Sequence, residues 1–191
     1  MSGRAYLATL ADLFERIEAT DRAGQAMSID DAIEGVVGFV LELKDSSKKA
    51  MLIGNGGSAA IVSHIHTDLS KAVGVRAMVY NEPPFLTAMA NDDGYETVFR
   101  RPVELWAEPG DVLIAISSSG ESASILQPVV VAREKGCRIV TFSGFKPANR
   151  LRQLGDVNFY VPAATYGHVE MTHAILGHCV TDFAMKRNLR E

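Results

Sequence analysis

MLIGNGGSAAIVSHIHTDLSK, Met51–Lys71, sets a short apolar run against a glycine-rich turn and follows it with a helix-like segment carrying two histidines. The run that ends at Gly54 is too short for a helix and apolar throughout, which reads as a strand buried on both faces. Gly54, Gly56 and Gly57 allow tightly curved backbone and close approach of an anion to the amides. Ser58 opens a predicted helix, whose first N–H groups are unpaired and carry the positive end of the helix dipole. This is the arrangement of a phosphate cradle, although GNGGS alone is also a plain strand-to-helix turn. It lacks the Lys-Ser/Thr ending of a nucleotide P-loop and the spacing of a dinucleotide fingerprint.

Outward from that stretch the same alternation repeats. AMLIG, VRAMVY, DVLIAIS, CRIVTFS and VNFYVP are five short β-rich runs. Helical patterns fall between and after them, over residues 58–72, 83–89, 95–106, 122–135, 148–154 and 168–187. Strands alternating with helices through short connections predict an α/β fold: a three-layer sandwich with a mainly parallel five-stranded sheet. Ahead of it, Tyr6, Leu7, Leu10, Leu13, Phe14 and Ile17 recur at helical spacing. A second helix is predicted from Ser28 or Asp30, carrying Ile33, Val36, Val37, Val40 and Leu41. The expectation is one domain, 1–191, with a helical N-terminal extension (1–48) on an α/β core (49–191).

Composition narrows the function classes. With 47% hydrophobic and 22% charged residues in 191, the chain suits one soluble, well-filled core. A net charge of -4 without a Lys/Arg block argues against a nucleic-acid binder. Cys137 and Cys179 lack paired metal-ligand spacing and read as reduced core thiols. SGRAYLATLADLFERIEA reads as an amphipathic helix rather than a leader, and no apolar run approaches membrane-spanning length, so a cytoplasmic location is expected.

A second anion-type turn follows the strand DVLIAIS. In ISSSGES, Ser117, Ser118, Ser119 and Ser122 surround Gly120 with hydroxyls that can bind phosphate without lysine, or cap a helix. Its place after a central strand is where open parallel sheets bind ligands. Glu121 is discordant there, since it would crowd a phosphate unless turned away.

The motifs GNGGSAA, NDDGYETVF, EPGDVLIAISSSGES, AREKGCRIVTFSG and VPAATYGHVEMTHAILGH together resemble the sugar isomerase (SIS) domain family, and within it the phosphoheptose isomerases, over nearly the whole chain. The resemblance implies interconversion of D-sedoheptulose 7-phosphate and D-glycero-D-manno-heptose 7-phosphate by enediol proton transfer. It implies a phosphate site at Ser117, Ser118, Ser119 and Ser122, and a sugar site at Asn55, Gly56, Gly57, Ser58, Asp92 and Glu170. It further implies a divalent metal, zinc in several members, on His64, Asp68, Glu170 and His178, with Asp68 and His178 as the acid/base pair. A homotetramer is the implied assembly. The chain departs from the family in carrying Asp68 for a glutamate and Glu170 for a glutamine. The alternatives are another sugar phosphate as substrate, or a non-catalytic member that binds sugar phosphates or associates with a replication initiator.

Residue geometry bears on the metal set. His64 and Asp68 stand four apart and share a helix face, whereas His66 points roughly 160° from Asp68. Glu170 and His178 are about 12 Å apart along a continuous helix, so sharing one ion demands that both lean inward. His173 is expected in a structural role near the site. Asn91, Asp92 and Asp93 read equally as sugar contacts or as a helix cap, with Asp92 preferred on the resemblance.

Overall fold

Seven strands form one sheet in the order β2-β1-β7-β6-β5-β3-β4. They belong to a computed structural model that describes residues 2–188. The strands are β1 (Glu18–Asp21), β2 (Ala26–Met27), β3 (Ala50–Gly54), β4 (Ala77–Val79), β5 (Val112–Ser117), β6 (Arg138–Gly144) and β7 (Val157–Val161). The five runs expected from the sequence are β3 to β7, and all pair in parallel. Their side chains alternate between two cores. In β5, Val112, Ile114 and Ile116 face one core, while Leu113 and Ala115 face the other. Burial on both faces is why these strands read as continuous apolar runs.

Helices cover both faces. The main ones are α1 (Gly3–Phe14), α2 (Ile29–Lys44), α3 (Gly57–Asp68), α4 (Pro83–Asp93), α5 (Arg100–Trp106), α6 (Ala123–Glu134) and α7 (Tyr166–Asn188). α2, α3 and α7 supply one core with Val36, Val37, Val40, Val62, Ile65, Leu176 and Val180. α5 and α6 supply the other, with Val103, Ile125, Leu126 and Val129. α2 starts where expected: Ser28 accepts the Asp31 N–H at 3.0 Å through its side chain. α3 runs on into a single π turn, Leu69–Val73.

The sheet is wider than the five strands expected, because the N-terminal segment is not wholly helical. Between α1 and α2 lies the hairpin β1–β2, and β1 adds to the sheet edge by pairing antiparallel with β7. Asp21 closes its turn by accepting the N–H groups of Ala23 and Gln25 at 2.9 and 2.8 Å. Ile17, expected in the first helical stripe, lies beyond the end of α1. Two other boundaries shift. Residues 148–154 hold only a 3₁₀ turn, Leu151–Gln153, and residues 95–106 split into a 3₁₀ turn, Tyr95–Thr97, and α5.

Candidate active site

β3 and β5 lie side by side, with Gly54 opposite Ile116, so their two following loops and the N-termini of α3 and α6 converge. A cavity of about 240 Å³ opens there, lined by Asn55, Gly56, Gly57, Ser58, Ser117, Ser118, Ser119, Ser122, Tyr166 and Glu170. Among the described residues, no lysine or arginine lines it. An anion would be held by hydroxyls, backbone N–H groups and the two helix ends. Gly54 is required by space, since a Cβ there would sit 2.7 Å from the Ser58 backbone. Gly56 adopts φ +53°, a conformation that favours glycine.

The serines divide their work. Ser117 and Ser119 accept the N–H groups of Gly120 and Glu121, at 3.2 and 3.3 Å, and hold the loop in shape. Ser118 keeps a buried hydroxyl with no partner within the described residues. Ser122 occupies the cap position of α6 but makes no side-chain cap bond, so its hydroxyl is not consumed by the helix. Glu121 turns out of the loop. Arg150 donates to it through its side chain at 2.7 Å and through its backbone N–H at 3.0 Å, and these bonds hold the carboxyl below the usual glutamate range.

His64, Asp68 and His178 form a second cluster. Asp68 Oδ2 lies 3.5 Å from His64 Nε2 and 3.6 Å from His178 Nδ1. The two imidazoles meet edge to face at 4.8 Å. A tetrahedral ion with bonds of about 2.0–2.1 Å needs donor atoms roughly 3.3 Å apart, so two histidines and one carboxylate fit a divalent metal with a position left open. The potential donors all lie within 4.8 Å of one another.

Glu170 stands outside this cluster in the chain. It lines the serine cavity instead, its carboxylate packed over Gly57, where an added Cβ would meet Oε2 at 2.4 Å. The reason is the unbroken helix α7, which sets Glu170 and His178 two turns, about 12 Å, apart. Asp92 is likewise not brought to the cavity. α4 runs through Asp93, so Asp92 sits exposed in its last turn and accepts from Asn91 at 2.8 Å. His66 lies apart from the cluster, as its helical phase requires.

The other histidines have structural partners. His173 is fully buried and its Nε2 meets the Ser143 carbonyl at 3.1 Å. Burial pushes it down to about 4, so it is neutral at ordinary pH. His168 stacks on Tyr6 at 4.2 Å and ties α7 to α1. Three residues at the site were missed from the sequence. Tyr166 closes one side of the cavity, and Asn55 is held by Ser124 and Tyr95 at 2.9 and 2.8 Å. The TYGH and NDDGYE segments marked the neighbourhood of the tyrosines, but nothing local announced contacts made across the fold.

Comparison with known proteins identifies the family. The SIS domain family matches residues 5–144. A phosphoheptose isomerase of Geobacter sulfurreducens is 31% identical over 187 residues, 92% of this chain and 98% of the relative. Another from Nitratiruptor sp. is 38% identical over 144 residues, 72% of this chain and 76% of the relative. Among solved structures, the phosphoheptose isomerase GmhA of Neisseria gonorrhoeae superposes with a TM-score of 0.82 at 24% identity, covering 95% of each chain. The Francisella tularensis phosphoheptose isomerase gives 0.83 at 20% identity, covering 98% of this chain and all of that one. At those identities the structural likeness carries the fold.

Proposed function

The chain belongs to the SIS domain family, among its phosphoheptose isomerases, and from that membership we propose how its site interconverts D-sedoheptulose 7-phosphate and D-glycero-D-manno-heptose 7-phosphate. The carrying observation is the placement of a cation-free hydroxyl cavity two helical turns from a histidine–carboxylate cluster on the same two helices. The phosphate sits on the Ser117–Ser122 loop and the N-termini of α3 and α6. An extended heptose then runs along the α3–α7 face, past Ala60, Ile61 and Ala174, towards His64 and His178.

The reach supports this reading. An extended backbone spans roughly 1.2 Å per bond, which puts the first two carbons of a 7-phosphate about 8–10 Å from phosphorus. Gly57 and His64 are separated by about 10 Å of helix, so a seven-carbon chain matches the gap. A shorter sugar held by its phosphate would leave its carbonyl short of the cluster.

In the ketose-to-aldose direction the ring opens first. Asp68 takes a proton from C1 while His178 donates one to the C2 oxygen, giving the enediol. Reprotonation at C2 and loss of the O1 proton then deliver the aldose. Asp68 Oδ2 faces both imidazoles, which leaves Oδ1 for the substrate proton. The phosphate grip, remote from the reacting carbons, supplies orientation.

His64, Asp68 and His178 would hold a divalent ion, zinc by family precedent. Such an ion stabilises negative charge developing on the substrate oxygens. Asp68 and His178 would then be both ligands of the ion and the proton-moving pair. Assembly into a homotetramer is part of the same reading. It is supported by exposed apolar side chains on two faces: Leu7, Met171 and Ile175 on one, Leu105, Trp106 and Val130 on the other.

The test is an isomerase assay on sedoheptulose 7-phosphate before and after chelation, beside elemental analysis of protein purified without chelator. Turnover lost on stripping and restored by metal supports the whole reading. Turnover indifferent to chelation removes the metal. No turnover on ketose and aldose phosphates removes the enzyme.

A further inference from the structure

Among the described residues, Asn55 is the one side chain shared by the serine-lined cavity and a neighbour of about 260 Å³ that also includes Tyr95. Its amide is held at both ends. Tyr95 Oη donates to Asn55 Oδ1 at 2.8 Å, and Asn55 Nδ2 donates to Ser124 Oγ at 2.9 Å. Ser124 is buried in the first turn of α6, whereas Tyr95 belongs to the half-exposed 3₁₀ turn after α4. The clamp therefore ties two elements that already pack on each other to the residue that follows β3.

We propose that Tyr95 and Ser124 are positioning residues that fix the Asn55 amide so that its second Nδ2–H faces the sugar as a donor. A carboxamide turned by 180° presents an oxygen where it had presented an N–H, and the two ends are nearly equal in size. In the bonded arrangement the two hydroxyls take different roles: Tyr95 donates to Oδ1, which sets that oxygen on its side. Ser124 then takes one of the two Nδ2 hydrogens. The other remains for a hydroxyl or carbonyl oxygen of the bound chain. A ligand held only by its phosphate does not engage this donor, so the clamp discriminates the polyol part of the substrate from its anionic end. The inference rests on the sugar-phosphate reading of the cavity.

Calorimetric titration of wild type, Tyr95→Phe, Asn55→Ala and the double variant separates the possibilities, using sedoheptulose 7-phosphate and inorganic phosphate as probes. Tyr95→Phe should weaken the sugar phosphate roughly three- to tenfold, one neutral hydrogen bond, and leave inorganic phosphate unchanged. In the Asn55→Ala background the same substitution should have no further effect, because the group it orients is gone. Ser124→Ala should repeat the pattern. Penalties that simply multiply in the double variant, or equal losses for both probes, would overturn the clamp while leaving the isomerase reading intact. A wild type that binds inorganic phosphate but not the sugar phosphate would overturn both.

Discussion

Replacing Gly120 by alanine should be among the costliest single-methyl changes in this protein. Gly120 sits at φ +64° in the middle of the serine loop, and an added Cβ would lie 2.0 Å from Asn149 Oδ1 and 2.4 Å from its Cγ. Asn149 cannot simply swing aside. It is fully buried, donates to the Ser143 hydroxyl and to the Gly144 and Lys146 carbonyls, and accepts the Arg152 N–H. The left-handed backbone costs an alanine about 1–2 kcal/mol. Displacing Asn149 strands buried polar groups at about 1–3 kcal/mol each. Together these give a loss of about 3–5 kcal/mol, or roughly 6–20 °C of melting midpoint in a chain of this size. Gly74→Ala is the control. It has a similar φ of +82° but nothing within 4 Å of the new Cβ, so strain alone should cost about 1–2 kcal/mol. Urea or thermal melts of the two variants isolate the collision from the backbone term. A Gly120→Ala midpoint no lower than that of Gly74→Ala would refute the reasoning.

Ser122→Ala, which removes a hydroxyl the helix does not use, should weaken inorganic phosphate by about 0.5–1.5 kcal/mol, measured by calorimetry, and unchanged affinity would move the anion off this loop. His64→Ala should lower the divalent metal content of protein purified without chelator, whereas Glu170→Gln, outside the cluster, should leave it unchanged. His173 carries a pH dependence. Its folded value of about 4 lies below its ordinary 6.5, so its contribution is complete above pH 6.5 and is lost as pH falls towards 4. The loss amounts to about 3 kcal/mol, which His173→Gln should remove from the slope of stability against pH between those values.

The parallel strands were legible because the physics that buries them is one-dimensional. A strand covered on both faces needs an apolar residue at every position, and AMLIG and VLIAI satisfy that without reference to anything distant. The hairpin failed the same test. Glu18–Asp21 is a four-residue strand with one buried residue, Ala19, next to the two-residue edge strand β2, and its place is fixed by pairing with Val157–Tyr160, more than a hundred residues away. Short polar edge strands are chosen against stickiness, which also hides them from a reading of periodicity.

The site divides along the same line. Glycines and serines after strands announced the cavity, because unusual backbone and helix starts are local requirements. That His64 and Asp68 share a helix face was also local. What brings His178 to them is the packing of α7 on α3, and that packing rests on Gly177, where a Cβ would meet Ile65 Cδ1 at 2.5 Å. Two helices that touch this closely at one point leave neighbouring side chains no choice of partner, so His178 is delivered to Asp68. The straightness of α7 at the same time carries Glu170 to the phosphate end. One rigid helix therefore decides both memberships. A carboxylate among hydroxyls that receive a dianion is unfavourable by itself, and Glu170 has no basic residue beside it in the cavity. Glu170 is half-exposed and lies over Gly57 at the N-terminus of α3, so solvent and the helix end temper its charge without cancelling the repulsion. Glu170→Gln therefore tightens inorganic phosphate in the isolated site, and a variant that bound phosphate no better than wild type would show that the carboxylate already turns away.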